Sequence, residues 1–166
     1  MTHAIRILKA GGPEVLRWEE VAVGDPGPGE VRIRQSAVGL NFIDTYHRTG
    51  LYKVPLPSGI GLEAAGTVEA VGQGVADFKP GDRVAYCTGP LGAYAEARLF
   101  PAERLVKLPG GIDDRSAAAM MLKGLTAQYL LRRTHRVKAG ETILVHAAAG
   151  GVGLILCQWG KHLGAT

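Results

Sequence analysis

The sequence has little excess charge of either sign and no long hydrophobic run. Among 166 residues, 19 Lys and Arg oppose 15 Asp and Glu, for a formal net charge of +4. The basic residues are mostly dispersed, which disfavours a nucleic-acid-binding surface, so we expect no nucleic-acid partner. No apolar run approaches the ~18 residues of a membrane span, and the N-terminus lacks the regions of a signal peptide. We therefore expect a soluble, unexported protein with no membrane partner.

Cysteine is almost absent as well. The two cysteines, Cys87 and Cys157, lie far apart in the chain, and neither has a second cysteine within a few positions. The sequence therefore supports neither a disulfide framework nor a structural zinc site. The histidines form no i, i+4 pair that would indicate another metal site. Unpaired cysteines suit a reducing compartment, so we expect the protein in the cytoplasm.

Glycine is abundant instead, and the first two thirds of the chain are rich in turns. The 24 glycines are about twice the usual share of ~7%. Val31–Arg34 alternates apolar and polar side chains, as a strand with one buried face does. Lys79–Asp82 is typical of a type II turn, because its central Pro and Gly suit the backbone angles required. Up to about residue 110 we predict a small β-barrel.

After residue 111 the pattern changes to helix formers and then to a strand, turn and helix. Asp113 or Asp114 is predicted to cap a first helix, and Leu125–Arg133 to form a second. Thr142–His146 has the composition of a buried strand. A glycine-rich turn and the apolar segment Leu154–Trp159, predicted to be helical, follow it.

The glycine turn partly matches a dinucleotide-binding motif. In such motifs the pyrophosphate meets unpaired backbone N–H groups at a helix N-terminus, where a side chain would block its approach. The pattern G-x-G-x-x-G falls on Ala148, Gly150 and Gly153, with Ala in place of the first Gly. The turn is predicted to bind a cofactor, and the alternative is a tight strand-to-helix turn that binds nothing.

Two long segments resemble one family of oxidoreductases. Residues 61–72, followed by Gly81–Val84, resemble the signature of the GroES-like domain of medium-chain dehydrogenases/reductases. Val38–Tyr46 and residues 140–161 are similar to the zeta-crystallin-like quinone oxidoreductase branch of that superfamily. The resemblance implies a GroES-like β-barrel domain over residues 1–122. It also implies the first βα unit of a Rossmann domain, a doubly wound parallel sheet, over residues 123–166, where the chain stops.

The positions that bind catalytic zinc in alcohol dehydrogenases of this superfamily hold unsuitable residues here. By the resemblance they correspond to Asn41, Leu62 and Lys123. An amide and an alkyl group are poor zinc ligands, and an ammonium repels the ion. We therefore expect no metal. Glu63, which follows the second of these positions, is expected to have a structural hydrogen-bonding role.

The resemblance also implies a set of site residues and NADPH as the cofactor. Tyr46 and Tyr52 would donate protons to the substrate, or would be packing residues with solvated hydroxyls, and Asn41 would act beside them. The residues implied in cofactor binding are Asn41, Phe42, Tyr46, Lys123, Thr126, Tyr129, Gly150, Gly151 and Val152.

Three functions follow from these patterns. The first is zinc-independent reduction of a quinone by NADPH, and the second is reduction of an enone or enoyl-thioester by the same chemistry. The third is a non-enzymatic binding module. The residue that reads the adenosine ribose is expected about 20 residues beyond the glycine turn, whereas only 13 residues follow Gly153. We therefore expect the chain to be the N-terminal portion of a longer protein and to be inactive alone. For the complete protein we expect a homodimer.

Overall fold

The structure, a computed structural model, describes all 166 residues and divides the chain into two compact units. The first unit is Met1–Ala119 and the second is Met120–Thr166. None of its helices combines the length and the apolar character that crossing a membrane would require.

The first unit consists mainly of two antiparallel sheets. Its strands are β1 (Thr2–Ile7), β2 (Arg17–Val21), β3 (Glu30–Gly39), β4 (Ser58–Gly59), β5 (Glu63–Val71), β6 (Arg83–Tyr86), β7 (Ala97–Pro101) and β8 (Val106–Lys107). The smaller sheet has the order β2-β1-β4, and the larger has the order β7-β3-β5-β6-β8. The predicted fold class is confirmed, although the strands form two sheets rather than one closed barrel.

The core of the first unit lies on one face of the larger sheet. Val31 and Ile33 alternate with exposed or half-buried neighbours along β3, and both are fully buried. They pack in one cluster with Tyr86 and Phe100, whose rings stack with centroids 4.0 Å apart. Each large side chain buried in this way contributes about 1.5–3 kcal/mol. The apolar alternation that predicted the strand is therefore the pattern that builds the core.

Local signals in the sequence correctly mark a turn and a helix start. The Asp82 N–H donates to the Lys79 carbonyl over 3.1 Å, and Gly81 has φ of +92°, as a type II turn requires. The carboxylate of Asp113 accepts hydrogen bonds from the N–H and the hydroxyl of Ser116. Helix α2 (Asp114–Tyr129) begins directly after this cap.

The prediction of two successive helices was wrong. Helix α2 is continuous through the region in which a break was expected, and a π-helical turn, Leu130–Thr134, extends it. The only helix-disfavouring residue between the two predicted segments is Gly124. A single glycine costs a helix about 1 kcal/mol, which weakens a helix without ending it.

The strand predicted at residues 142–146 is also absent. Ile143 donates its N–H to the Thr166 carbonyl over 2.9 Å, and Thr166 donates its N–H to the Glu141 carbonyl over 2.8 Å. This is the hydrogen-bond pattern of a parallel pair, formed at one position only. Leu144 is 84% exposed, so the segment is not buried. A strand needs a hydrogen-bonded neighbour along its whole length. For residues 142–146 the only such neighbour in this chain is Thr166.

Candidate active site

The first unit places a polar residue at the junction of β3 and helix α1 (Phe42–Thr49). Asn41 is the N-cap residue of α1, with extended backbone angles, and it is 7% exposed. Its N–H donates to Oδ2 of Asp44 over 3.0 Å, while the Asp44 N–H donates to the Asn41 carbonyl. This reciprocal pairing satisfies two of the groups that a helix start leaves without partners.

The side chain of Asn41 is held by a second buried carboxylate. Its Nδ2 donates to Oε2 of Glu63, the first residue of β5, over 2.7 Å, and Glu63 is fully buried. A carboxylate only accepts hydrogen bonds, so the contact fixes which end of the amide faces Glu63. The hydrogen-bonding role expected for Glu63 is therefore present, at the position next to Leu62.

A glycine makes room for this carboxylate, a requirement that sequence reasoning missed. A Cβ at Gly39 would lie 2.3 Å from Oε2 of Glu63 and 2.2 Å from the carbonyl oxygen of Ala118. Both distances are too short for any side chain. Gly39 ends β3 immediately before the Asn41 turn, so the close approach of the strand to Glu63 sets where Asn41 lies.

Four aromatic side chains cluster along α1 and the loop that follows it. The rings of Phe42 and Tyr46 meet edge to face with centroids 5.3 Å apart, and Tyr46 lies 5.3 Å from Tyr52. His47 completes the cluster, 6.0 Å from Tyr52. The Tyr52 N–H donates to the Tyr46 carbonyl, which ties the loop to the helix. Phe42 and Tyr52 are exposed, so the cluster presents an aromatic surface with hydroxyl groups.

Asp44 has a second partner that the sequence patterns did not indicate. The hydroxyl of Tyr94 donates to Oδ2 of Asp44 over 2.7 Å. Burial and this hydrogen bond to the carboxylate raise the pKa of Tyr94 above its ordinary value. The Tyr94 hydroxyl therefore remains protonated, and a donor, throughout the neutral range.

Asn41 and Leu62, which correspond by resemblance to zinc-ligand positions of alcohol dehydrogenases, provide no set of metal ligands. No group of three or more His, Cys, Asp and Glu side chains in the structure could hold a metal ion. Cys87 is buried, and burial together with the nearby charge of Glu63 raises the pKa of its thiol. A thiol with a raised pKa is a poor ligand, because metals bind the thiolate.

The second unit forms the glycine turn ahead of helix α3 (Gly151–His162). Ala147 has φ of +53°, and the Gly150 N–H donates to its carbonyl over 2.8 Å. Gly150 is the N-cap residue, and its carbonyl accepts the N–H of Leu154. The first three N–H groups of the helix therefore have no acceptor within the helix. No acidic side chain lies in this first turn, so it suits an anion.

The two glycines of the motif have different surroundings. A Cβ at Gly150 would have only the Ala147 carbonyl oxygen within 4 Å, at 3.2 Å. A Cβ at Gly153 would lie 2.2 Å from that oxygen and 2.7 Å from the Cα of Ala148. Packing inside the turn therefore excludes side chains at Gly153, whereas at Gly150 a Cβ would make a single tight contact with a backbone oxygen.

The remaining predicted cofactor residues of the second unit lie on α2 and at the start of α3. The Lys123 side chain lies against the turn, since a Cβ at Gly151 would be 2.7 Å from its Cδ. Thr126 donates its hydroxyl to the Leu122 carbonyl over 2.7 Å, and Tyr129 is half exposed at the end of α2. Val152 is half buried in the first turn of α3. The structure thus brings Lys123 to the turn and leaves Thr126 and Tyr129 along the helix.

Comparison with known proteins identifies the family. Residues 27–110 match the model of the alcohol dehydrogenase GroES-like domain. The chain is 62% identical to a quinone oxidoreductase of Pseudomonas aeruginosa, over 99% of this chain and 51% of that protein. It is 55% identical to a 2-haloacrylate reductase of a Burkholderia species, over 100% of this chain and 52% of that protein.

Solved structures agree with the sequence relatives. The crystal structure of Escherichia coli quinone oxidoreductase complexed with NADPH superposes with a TM-score of 0.97 and 52% identity, over 99% of this chain and 51% of that one. The chain therefore spans about half the length of the relatives it matches. It belongs to the alcohol dehydrogenase GroES-like domain family, and it is similar over nearly its whole length to proteins named quinone oxidoreductase.

Proposed function

We propose that the complete protein is a cytoplasmic, homodimeric quinone reductase that uses NADPH and no zinc, and that this chain supplies its acceptor-binding side chains and its pyrophosphate-binding turn. The observation that carries the proposal is the first turn of α3. Its first N–H groups lack intrahelical acceptors, and at Gly150 the only protein atom within 4 Å of a Cβ position is the Ala147 carbonyl oxygen. The name of the Pseudomonas aeruginosa relative and the NADPH complex of the Escherichia coli relative support the substrate and the cofactor.

The residues of the second unit fit NADPH. The pyrophosphate of NADPH is a doubly charged anion, and the helix start offers it backbone donors and the positive end of the helix dipole. Lys123, whose side chain lies against Gly151, adds a cation close to the turn. When bound, NADPH supplies a hydride, that is, two electrons and one proton.

The first unit supplies what the acceptor needs. A quinone is a flat, electron-poor ring, which suits the aromatic surface of Phe42, Tyr46 and Tyr52. Reduction by a hydride leaves an anionic oxygen that requires one proton to give the hydroquinone. A tyrosine hydroxyl can donate that proton and recover it from solvent, and Tyr52 is half exposed. We assign proton donation to Tyr52 and Tyr46, and we assign Asn41 to the binding of the nicotinamide ribose.

Steady-state kinetics of the complete protein test this function. We expect NADPH oxidation that depends on an added quinone, with about one NADPH consumed per quinone reduced to hydroquinone, within the turnover range of ~1–1000 per second typical of enzymes. A preparation that binds NADPH tightly yet reduces no quinone under any tested condition would contradict the assignment of the substrate.

A second candidate is the reduction of an activated alkene. The similarity to a 2-haloacrylate reductase favours it, and the same proton donors would serve the carbon left after hydride addition. Parallel assays with a benzoquinone and a 2-haloacrylate distinguish the two functions. We expect kcat/KM for the quinone to exceed that for the haloacrylate, and the reverse order would assign the alkene as the substrate class.

Zinc content is a separate prediction. Asn41 donates to Glu63, and the adjacent Leu62 is apolar, so these positions offer zinc neither a thiolate nor an imidazole. We expect dialysed protein to contain well under ~0.1 zinc per chain by elemental analysis, against one for a stoichiometric site. We also expect quinone reduction to survive treatment with a chelator. A stoichiometric zinc whose removal abolishes turnover would refute the zinc-independent mechanism.

A further inference from the structure

Asp44 is an unusual helix-capping residue because it is buried and only half of its carboxylate has partners. It is 3% exposed, and Oδ2 accepts both of its hydrogen bonds, from the Asn41 N–H and the Tyr94 hydroxyl. Oδ1 is buried with no hydrogen-bond partner. An unpartnered buried carboxylate oxygen is costly, and an exposed Ser or Asp would cap the helix without that cost.

The contacts of Asp44 converge on Asn41. One buried carboxylate, Asp44, fixes the backbone N–H of Asn41, and a second, Glu63, fixes its side-chain amide. Asn41 is therefore constrained at both its main chain and its side chain. Helix α1 begins at the next residue, so the same hydrogen bond from the Asn41 N–H to Asp44 also sets where Phe42 and Tyr46 project.

Tyr94 connects Asp44 to the segment that precedes β5. Its N–H donates to the Ile60 carbonyl over 3.0 Å, and its ring lies on Gly61, where a Cβ would be 2.4 Å from the ring carbon Cδ1. Gly61 has φ of +89° and lies two residues before Glu63. Tyr94 thereby links the segment that carries Glu63 to the helix that carries Asp44.

We propose that Asp44 and Tyr94 form a positioning pair, which holds Asn41 and the first turn of α1 in the geometry that acceptor reduction requires. The pair acts through Asn41 and the α1 aromatics and does not touch the substrate. The inference rests on the proposed function, since it assigns the pair to that same site. The raised pKa of Tyr94 agrees with it, because a hydroxyl that stays protonated remains a donor to Asp44.

Variants of the complete protein test the pair. Asp44→Ala removes both hydrogen bonds, and we expect kcat for quinone reduction to fall about 30-fold while the KM for NADPH changes less than about threefold. Asp44→Asn keeps an acceptor oxygen, so we expect it to restore kcat to within about threefold of the wild type. Tyr94→Phe removes one of the two bonds, and we expect an intermediate loss of about three- to tenfold.

Ser36→Ala is the matched control for Tyr94→Phe. The Ser36 hydroxyl also donates to an aspartate of the first unit, Asp114, which Arg83 contacts as well. We expect Ser36→Ala to lower the melting temperature by an amount comparable to Tyr94→Phe and to leave kcat unchanged. If Asp44→Ala lowers the melting temperature while kcat is retained, the pair is only structural and the proposal is overturned. If Asp44→Asn loses as much activity as Asp44→Ala, positioning by hydrogen bonds is likewise overturned.

Crystal structures of Asp44→Ala and Asp44→Asn give a readout that does not depend on activity. We expect Asn41 and the first turn of α1 to be displaced in Asp44→Ala and retained in Asp44→Asn. An undisplaced Asn41 in Asp44→Ala would overturn the positioning role even if turnover fell. If the wild type reduces no quinone but Asn41 moves as expected, the proposed substrate fails and the positioning role stands.

Discussion

Residues 1–166 produced alone should bind NADPH at least about 100-fold more weakly than the complete protein, a loss of ~2.7 kcal/mol or more. A dinucleotide crosses the carboxyl ends of several parallel strands. In the second unit only one position shows parallel pairing, between Thr166 and residues 141–143. The turn at Gly150 is present, but the adenosine end of the cofactor has no sheet to lie across. Isothermal titration calorimetry of both proteins measures the difference.

The second unit should also make the isolated chain self-associate. Leu144 and Leu154 are exposed, and an open groove of about 570 Å³ is lined by apolar groups that include Ile143 and Val145. Contiguous exposed apolar surface of this kind drives association in water. We expect oligomers in light scattering at micromolar concentrations and slower association at lower concentration.

The first unit provides the control for this prediction. It has its own core around Val31, Ile33 and Phe100, so residues 1–119 should fold alone and give a cooperative thermal transition by circular dichroism. A monomer of residues 1–166 that bound NADPH as tightly as the complete protein would show that the rest of the sheet is unnecessary, and would contradict the argument from strand number.

Local signals predicted local structure well. Asp113 caps α2, and the turn at residues 79–82 forms, because each depends on contacts between residues a few positions apart. The alternation at Val31 and Ile33 predicted β3 because a half-buried strand needs it. The strand predicted at residues 142–146 does not form, because its apolar composition suits burial in a parallel sheet. This chain contains almost none of that sheet.

Sequence reasoning could name candidate site residues only where a motif contains them. The resemblance named Asn41, Tyr46 and Tyr52, which the structure places on or beside one helix. It did not indicate the hydrogen bond between Tyr94 and Asp44, which joins residues fifty positions apart. No periodicity encodes such a contact, because only the folded sheets bring the two residues together.

Substitution of Gly150 in the glycine turn of the complete protein should have a large effect on NADPH binding. On the proposed function, Gly150→Val should raise the KM for NADPH about 30-fold or more, because its side chain would occupy the space assigned to the pyrophosphate, while the melting temperature falls less than in Gly153→Ala. The structure supports this separation, since a Cβ at Gly150 has a single neighbour, at 3.2 Å. Steady-state kinetics and thermal melts of the same preparations measure both quantities.

Gly153→Ala and Tyr52→Phe are the matched comparisons for Gly150→Val. A Cβ at Gly153 would lie 2.2 Å from the Ala147 carbonyl oxygen, so Gly153→Ala should lower the melting temperature markedly. Tyr52→Phe deletes only a half-exposed hydroxyl. It should lower kcat for the quinone by about tenfold or more and leave the KM for NADPH within about threefold, because the proposed function assigns that hydroxyl to the acceptor. Equal losses of kcat and NADPH affinity in both Gly150→Val and Tyr52→Phe would contradict the division of roles between the turn and the aromatic cluster.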